Sequence, residues 1–126
     1  MSSIQVADQT FVAAPPERVA RALGSPSRWR RWWPDLQVKV GEDRGEKGIR
    51  WTVDGPLVGT MEVWLEPALD GVIIHYFLHA EPASEQSRAN LDLAALNRER
   101  RVQGKGMSFE VKKELEHGRP AGEAPR

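Results

Sequence analysis

The 126-residue sequence contains no cysteine. That excludes disulfides, thiolate metal sites and a cysteine nucleophile, and it fits a reducing compartment. Net charge is missing too, because 18 basic side chains balance 18 acidic ones. A neutral chain lacks the broad positive field that drives non-specific nucleic-acid binding, so no nucleic-acid partner is expected. There is no long apolar run. The longest, from Val72 to Leu78, falls far short of the roughly 20 residues that span a bilayer, so no integral membrane association is expected. The opening Met-Ser-Ser-Ile-Gln-Val has neither the basic nor the apolar region of a secretory signal. We therefore expect a cytoplasmic protein.

Catalytic motifs are also scarce. His75 and His79 lie four residues apart, which on a strand is about 13 Å, too far to share one metal ion. Glu62 and Glu66 have the same spacing, too wide for a glycosidase-type carboxylate pair, which needs a separation within about 10 Å. Gly104-Lys105-Gly106 lacks the other glycines and the Ser/Thr of a phosphate-binding loop. No nucleophile elbow is present. No catalytic residue, metal or cofactor is expected.

The chain does hold an ordinary globular composition, 40% hydrophobic and 29% charged, enough for one core. Ile4 to Phe11 reads as a strand. Pro16 and Glu17 open a helix with Val19, Ala22 and Leu23 on one face, and Gly24 stops it. Ser25-Pro26-Ser27 opens a second short helix. Its Trp29, Trp32 and Trp33 share one face at i, i+3, i+4, while Arg30 and Arg31 take the other. Burial of the tryptophans beneath solvated arginines is simpler than base stacking over phosphate.

Beyond Pro34 the period changes from about 3.6 to 2. Leu36, Val38 and Val40 alternate with polar residues, as do Ile49, Trp51 and Val53, and then Met61, Val63 and Leu65. The run from Val72 to Ala80 is apolar on both parities. A charged loop from Gly41 to Gly48, Asp54-Gly55-Pro56 and Asp70-Gly71 separate these runs, which predicts an antiparallel meander. Ala83 to Asn90 reads as a polar linker. Leu96, Arg100, Gly104, Met107, Val111 and Leu115 then line one face of a long helix, with Val102, Gly106 and Phe109 opposite. Gly104 and Gly106 each cost up to about 1 kcal/mol in a helix interior, which predicts a bend. Gly118-Arg119-Pro120 ends the helix.

The expected fold is α+β. A curved antiparallel sheet of about five strands, with two short helices after strand 1, wraps around the long C-terminal helix. Residues 1–119 form one domain and residues 120–126 a disordered tail.

The order of these features resembles the START-related helix-grip superfamily, in particular the bacterial polyketide cyclase/dehydrase and lipid-transport family. The resemblance rests on the opening strand running into Ala14-Pro15-Pro16-Glu17-Arg18-Val19 and on Trp29-Arg30-Arg31-Trp32-Trp33-Pro34. Gly48 before a strand, Leu65-Glu66-Pro67 followed by Asp70-Gly71, a strand ending Glu81-Pro82 and the basic C-terminal helix complete it. It spans residues 4 to 117. Family members usually carry seven strands; two middle strands are missing here between Val53 and Leu57, which predicts a shortened sheet and a modest cavity. The resemblance implies binding of a small hydrophobic ligand, such as a lipid, fatty acyl or aromatic, polyketide-like metabolite. It does not imply a shared catalytic set.

On the family's usual facing, the ligand is expected against Trp51, Met61, Val63, Ile74, Tyr76 and Leu78 of the sheet. Trp33, Met107 and Val111 face them from the helices. Tyr76 is the best candidate to orient a ligand, having an apolar ring and a polar hydroxyl. The opposite parity carries Trp64, Ile73, His75, Phe77 and His79, expected as an outward aromatic patch and a homodimer interface. Two other functions stay open: a cyclase-type enzyme, signalled by a histidine or carboxylate inside the cavity, and a cavity-free interaction or regulatory protein that uses the outer patch.

Overall fold

The computed structural model describes residues 3–83 and 92–116. Strand β1 (Ile4–Val12) leads into helices α1 (Pro16–Leu23) and α2 (Pro26–Trp32). Strand β2 (Gln37–Asp43) and a 3-10 turn (Gly45–Lys47) follow. Strands β3 (Gly48–Asp54), β4 (Leu57–Ala68) and β5 (Gly71–Pro82) precede helix α3 (Leu93–Glu116). The five strands form one antiparallel sheet in the order β1-β5-β4-β3-β2. Five strands, two short helices after the first and one long final helix are the α+β architecture expected from the sequence.

Local chemistry accounts for these boundaries. Proline at the first position of α1 and α2 supplies a helical φ and lacks an N–H that would have no partner there. Gly24 closes α1, its N–H reaching Ala20 and Arg21. Gly48 opens β3 at φ 132°, and a Cβ there would run into the Val63 carbonyl, so only glycine fits. The β4–β5 hairpin turns through Leu69 and Asp70, with Leu69 at φ 52° and almost wholly exposed.

Because β1 and β2 occupy opposite edges of the sheet, α1 and α2 must cross from one edge to the other. That crossing carries the tryptophans of α2 beneath the inner face. Trp29, Trp32 and Trp33 are buried and Arg30 and Arg31 are exposed. Trp29 Nε1 donates to the Leu23 carbonyl at 2.6 Å and Trp32 Nε1 to Glu110 at 3.0 Å.

Helix α3 is continuous and lies along β1, where its side chains occupy the open hydrogen-bonding edge of that strand. Lys105 Nζ donates to the Gln9 carbonyl at 3.0 Å and Lys112 Nζ to the Phe11 carbonyl at 2.8 Å. Asn97 Oδ1 accepts from the Gln5 N–H and Glu116 from the Ala13 N–H, both at 2.9 Å. A strand edge masked in this way offers no template for a further strand.

The inner stripe of α3 is as expected: Arg100, Gly104, Met107 and Val111 are buried, while Val102 and Phe109 are exposed. Strand β2 departs from expectation. Val40 pairs with Trp51, so it shares that residue's side of the sheet, but it is 48% exposed. It sits on the outermost strand, where the register slips between Val40 and Glu42 and no element among the described residues covers it. The charged segment expected as a loop from Gly41 continues as strand to Asp43 before the turn. The polar linker, the helix stop at 118–120 and the 120–126 tail lie outside the described residues.

Candidate functional site

The inner face of the sheet gathers its large side chains from three strands. Cross-strand pairing sets Trp51 beside Met61, Met61 beside Leu78, and Val63 beside Tyr76, with Ile74 next along β5. Trp33 reaches them from the end of α2, and Met107 and Val111 from α3. All nine residues expected to contact a ligand belong to this one cluster, none more than 1% exposed. The space between sheet and helix is thus closed to solvent by side chains.

Aromatic rings dominate it. Trp33 stacks on Tyr76 with centroids 6.4 Å apart and planes 9° from parallel. Trp51 meets Trp33 edge-on at 5.4 Å and Trp29 at 5.7 Å. Edge-to-face and offset pairs at these distances are attractive beyond their buried area.

Polar groups enter the cluster at few points. The Tyr76 hydroxyl donates to Met61 Sδ at 3.3 Å, a weak acceptor. Burial pushes the Tyr76 pKa up; the positive charge of Arg100 and the nearby Trp33 indole N–H pull the other way. Arg100, buried on the inner stripe of α3, forks onto Asp35 at 3.1 and 2.6 Å and also donates to Gln103 at 2.8 Å. The hydrogen bond from Arg100 holds the Asp35 carboxyl below its usual pKa. The sequence singled out neither Arg100 nor Asp35 as a site residue. The available signal was an arginine standing on an otherwise apolar helical stripe.

The outer parity of β4 and β5 also forms a cluster, though a less open one than expected. Trp64 is 44% exposed and stacks on His75 at 4.7 Å, and Glu66 holds His75 Nε2 at 2.9 Å. His75 is consequently buried. Ile73 and Phe77 are half-buried, and only His79 lies as open as Trp64. Both strand histidines face away from the inner cluster. Among the described residues, no group of three His, Asp or Glu side chains could hold a metal ion, and no helix is long and apolar enough to cross a membrane.

A surface cleft of about 370 Å³ lies elsewhere, between α1 and the turn before β3, with Glu17, Arg21, Asp43 and Glu46 on its walls. None of the nine inner residues borders it.

Residues 3–80 match the family described as "Polyketide cyclase / dehydrase and lipid transport". The chain belongs to that family. Its five-stranded sheet and long helix are the helix-grip fold, and solved structures share it at low sequence identity. The Aha1 dimer from Colwellia psychrerythraea superposes with a TM-score of 0.65 at 16% identity, over 93% of this chain and 99% of that one. Protein BH1534 of Bacillus halodurans gives 0.63 at 10% identity, over 86% and 96%. CalU16 of Micromonospora echinospora gives 0.58 at 14%, over 90% and 79%. At such identities the likeness establishes the fold. No curated protein matches the sequence.

Proposed function

We propose that this member of the polyketide cyclase/dehydrase and lipid transport family binds or carries a small hydrophobic molecule in the cytoplasm. The ligand is a lipid, fatty acyl or aromatic metabolite, held between the concave sheet face and α3. The observation that carries this reading is the aromatic cluster of Trp33, Trp51 and Tyr76 beneath α3. Of its rings, that of Tyr76 meets the helix at Gly104, where no side chain intervenes. Helix α3 follows the sheet backbone mainly along β1. It meets the rest of the sheet through side chains, and side chains can part to admit an occupant. Trp51, Met61, Val63, Ile74, Tyr76 and Leu78 then form the floor, and Trp33, Met107 and Val111 the roof.

Binding is favoured over a cyclase-type reaction by what faces inward. The titratable side chains on that side include Tyr76, held protonated by burial, Arg100, held by Asp35, and, at the β1 edge, Asp8, held by Lys105 at 2.9 Å. Tyr76, the one such group in the middle of the aromatic cluster, is not poised to move a proton near neutral pH. A thermal-shift screen of lipids and aromatics tests the proposal. A ligand at 100 times its Kd adds about 2.7 kcal/mol of stability, and a panel that leaves the melting temperature unmoved removes the proposal.

A second reading rests on the outer patch. Trp64, with Ile73, His75, Phe77 and His79 around it, offers an aromatic surface on paired strands. We read it as a homodimer contact, and the Aha1 relative of like fold is a dimer.

A further inference from the structure

Two indole N–H groups in the inner cluster, on Trp33 and Trp51, are buried without a hydrogen-bond acceptor. The tryptophans nearby show the contrast, since Trp29 and Trp32 both have acceptors. Buried N–H groups are almost always paired, and leaving one unpaired is costly. Here two fall on rings 5.4 Å apart. The Tyr76 hydroxyl directs its proton at the Met61 sulfur. The Trp33 N–H lies near the Tyr76 oxygen without forming a bond of normal geometry. Arg100 Nε is likewise buried and unpartnered, one helical turn from the Gly104 position that Tyr76 touches.

We infer that this excess of donors is the recognition element of the inner site, and that its ligand is a neutral aromatic molecule whose carbonyl oxygen accepts from Trp51 and Trp33. The inference rests on the reading of the inner cluster as the ligand site, and it narrows the ligand class. A carbonyl oxygen offers two lone pairs and brings no proton of its own. The site has two unpaired indole donors; the Tyr76 hydroxyl gives its proton to the weakly accepting Met61 sulfur, and the unpaired carboxylate oxygen of Asp8 lies out on the edge strand β1. A carboxylate would suit it less well. The Arg100 charge is already matched by Asp35, so a second anion would enter an apolar interior uncompensated. The edge-on and stacked rings of Trp33, Trp51 and Tyr76 favour a flat aromatic partner.

Benzophenone and diphenylmethane have the same two-ring frame and differ in the carbonyl oxygen, so they test this directly. The uniformly 15N-labelled protein is titrated with each, and the indole N–H signals of its five tryptophans are followed by NMR. Benzophenone is expected to bind about tenfold more tightly, to move the Trp33 and Trp51 signals downfield, and to bind better than 4-benzoylbenzoate. Trp51→Phe should bring the ratio between the two compounds towards one; if that variant does not fold, the two titrations of the unaltered protein decide alone. Equal affinities with unmoved indole signals mean that a trapped water satisfies the pair, and they overturn the inference while leaving ligand binding intact. Tighter binding of 4-benzoylbenzoate overturns it too, as does failure of both ring compounds while other apolar compounds bind. If no apolar compound binds at all, the underlying reading falls with it.

Discussion

The ring of Tyr76 lies against the α-carbon of Gly104, so closely that a Cβ at position 104 would stand 2.5 Å from Tyr76 Cε2. The glycine is a packing requirement, since the Tyr76 ring is also stacked against Trp33 and fully buried. Gly104→Ala should gain helix propensity yet lose more to overpacking, for a net loss of about 1–2 kcal/mol. Gly106, two residues on, is open: a Cβ there would meet nothing within 4 Å, so Gly106→Ala should stabilise by about 0.5–1 kcal/mol. Urea unfolding of the two variants checks both signs, and a stabilising Gly104→Ala would contradict the contact.

Tyr76 is the only tyrosine, so its ionisation can be followed by ultraviolet absorbance without interference. Burial raises its pKa above the ordinary value of about 10, with Arg100 pulling it down in part. The native state therefore keeps a proton that the unfolded state releases, and stability falls as pH rises. The contribution is complete below about pH 10 and is lost above it. Phenolate absorbance should appear only as the protein unfolds in alkali. A phenolate forming near the ordinary pKa of about 10 in protein whose circular dichroism is still native would contradict the burial.

Arg100 and Asp35 form a second testable pair. The Arg100 side chain is 6% exposed and that of Asp35 48%, so removing the partner at the surface strands the charge inside. Asp35→Asn should cost about 1–3 kcal/mol, nearer the low end because Asp35 is half open to solvent. Arg100→Met, which removes the buried charge itself, should cost less. The Asp35 pKa is lowered, so the stability it supplies is present above about pH 3.9 and is lost as pH falls through the depressed value. Denaturant midpoints measured from about pH 7 to about pH 3 should converge for the parent and Asp35→Asn. Midpoints offset equally at every pH would contradict the linkage.

The outer patch predicts an assembly state. Phe77 sits half-buried beside His75 and across from Glu62, so Phe77→Glu places a charge there without disturbing the inner cluster. Sedimentation should show a dimeric parent and a monomeric variant. A monomeric parent removes the homodimer.

Much of this is legible in the sequence because it is local. The i, i+3, i+4 spacing of Trp29, Trp32 and Trp33 announces a buried stripe. Strict alternation through Trp51 and Met61 assigns the inner face, and turn residues separate the strands. Nonlocal features are harder to read. Gly104 reads as a weak point in a helix, because its reason is a ring 28 positions earlier in the chain. The alternation of Val40 gives its side of the sheet correctly but does not show that β2 is an edge strand with a slipped register. His75 reads as open until cross-strand pairing lays Trp64 over it. That the Trp33 and Trp51 N–H groups lack acceptors depends on three-dimensional contacts that no pattern along the chain encodes.

Retention of a small apolar molecule between the sheet and α3 is tested most directly by native mass spectrometry of freshly purified protein. The expected spectrum contains a population heavier than the bare chain by one small molecule, which is released on collisional activation. A spectrum of bare chain alone, unchanged after incubation with the aromatic and lipid panel, would contradict ligand binding at this site.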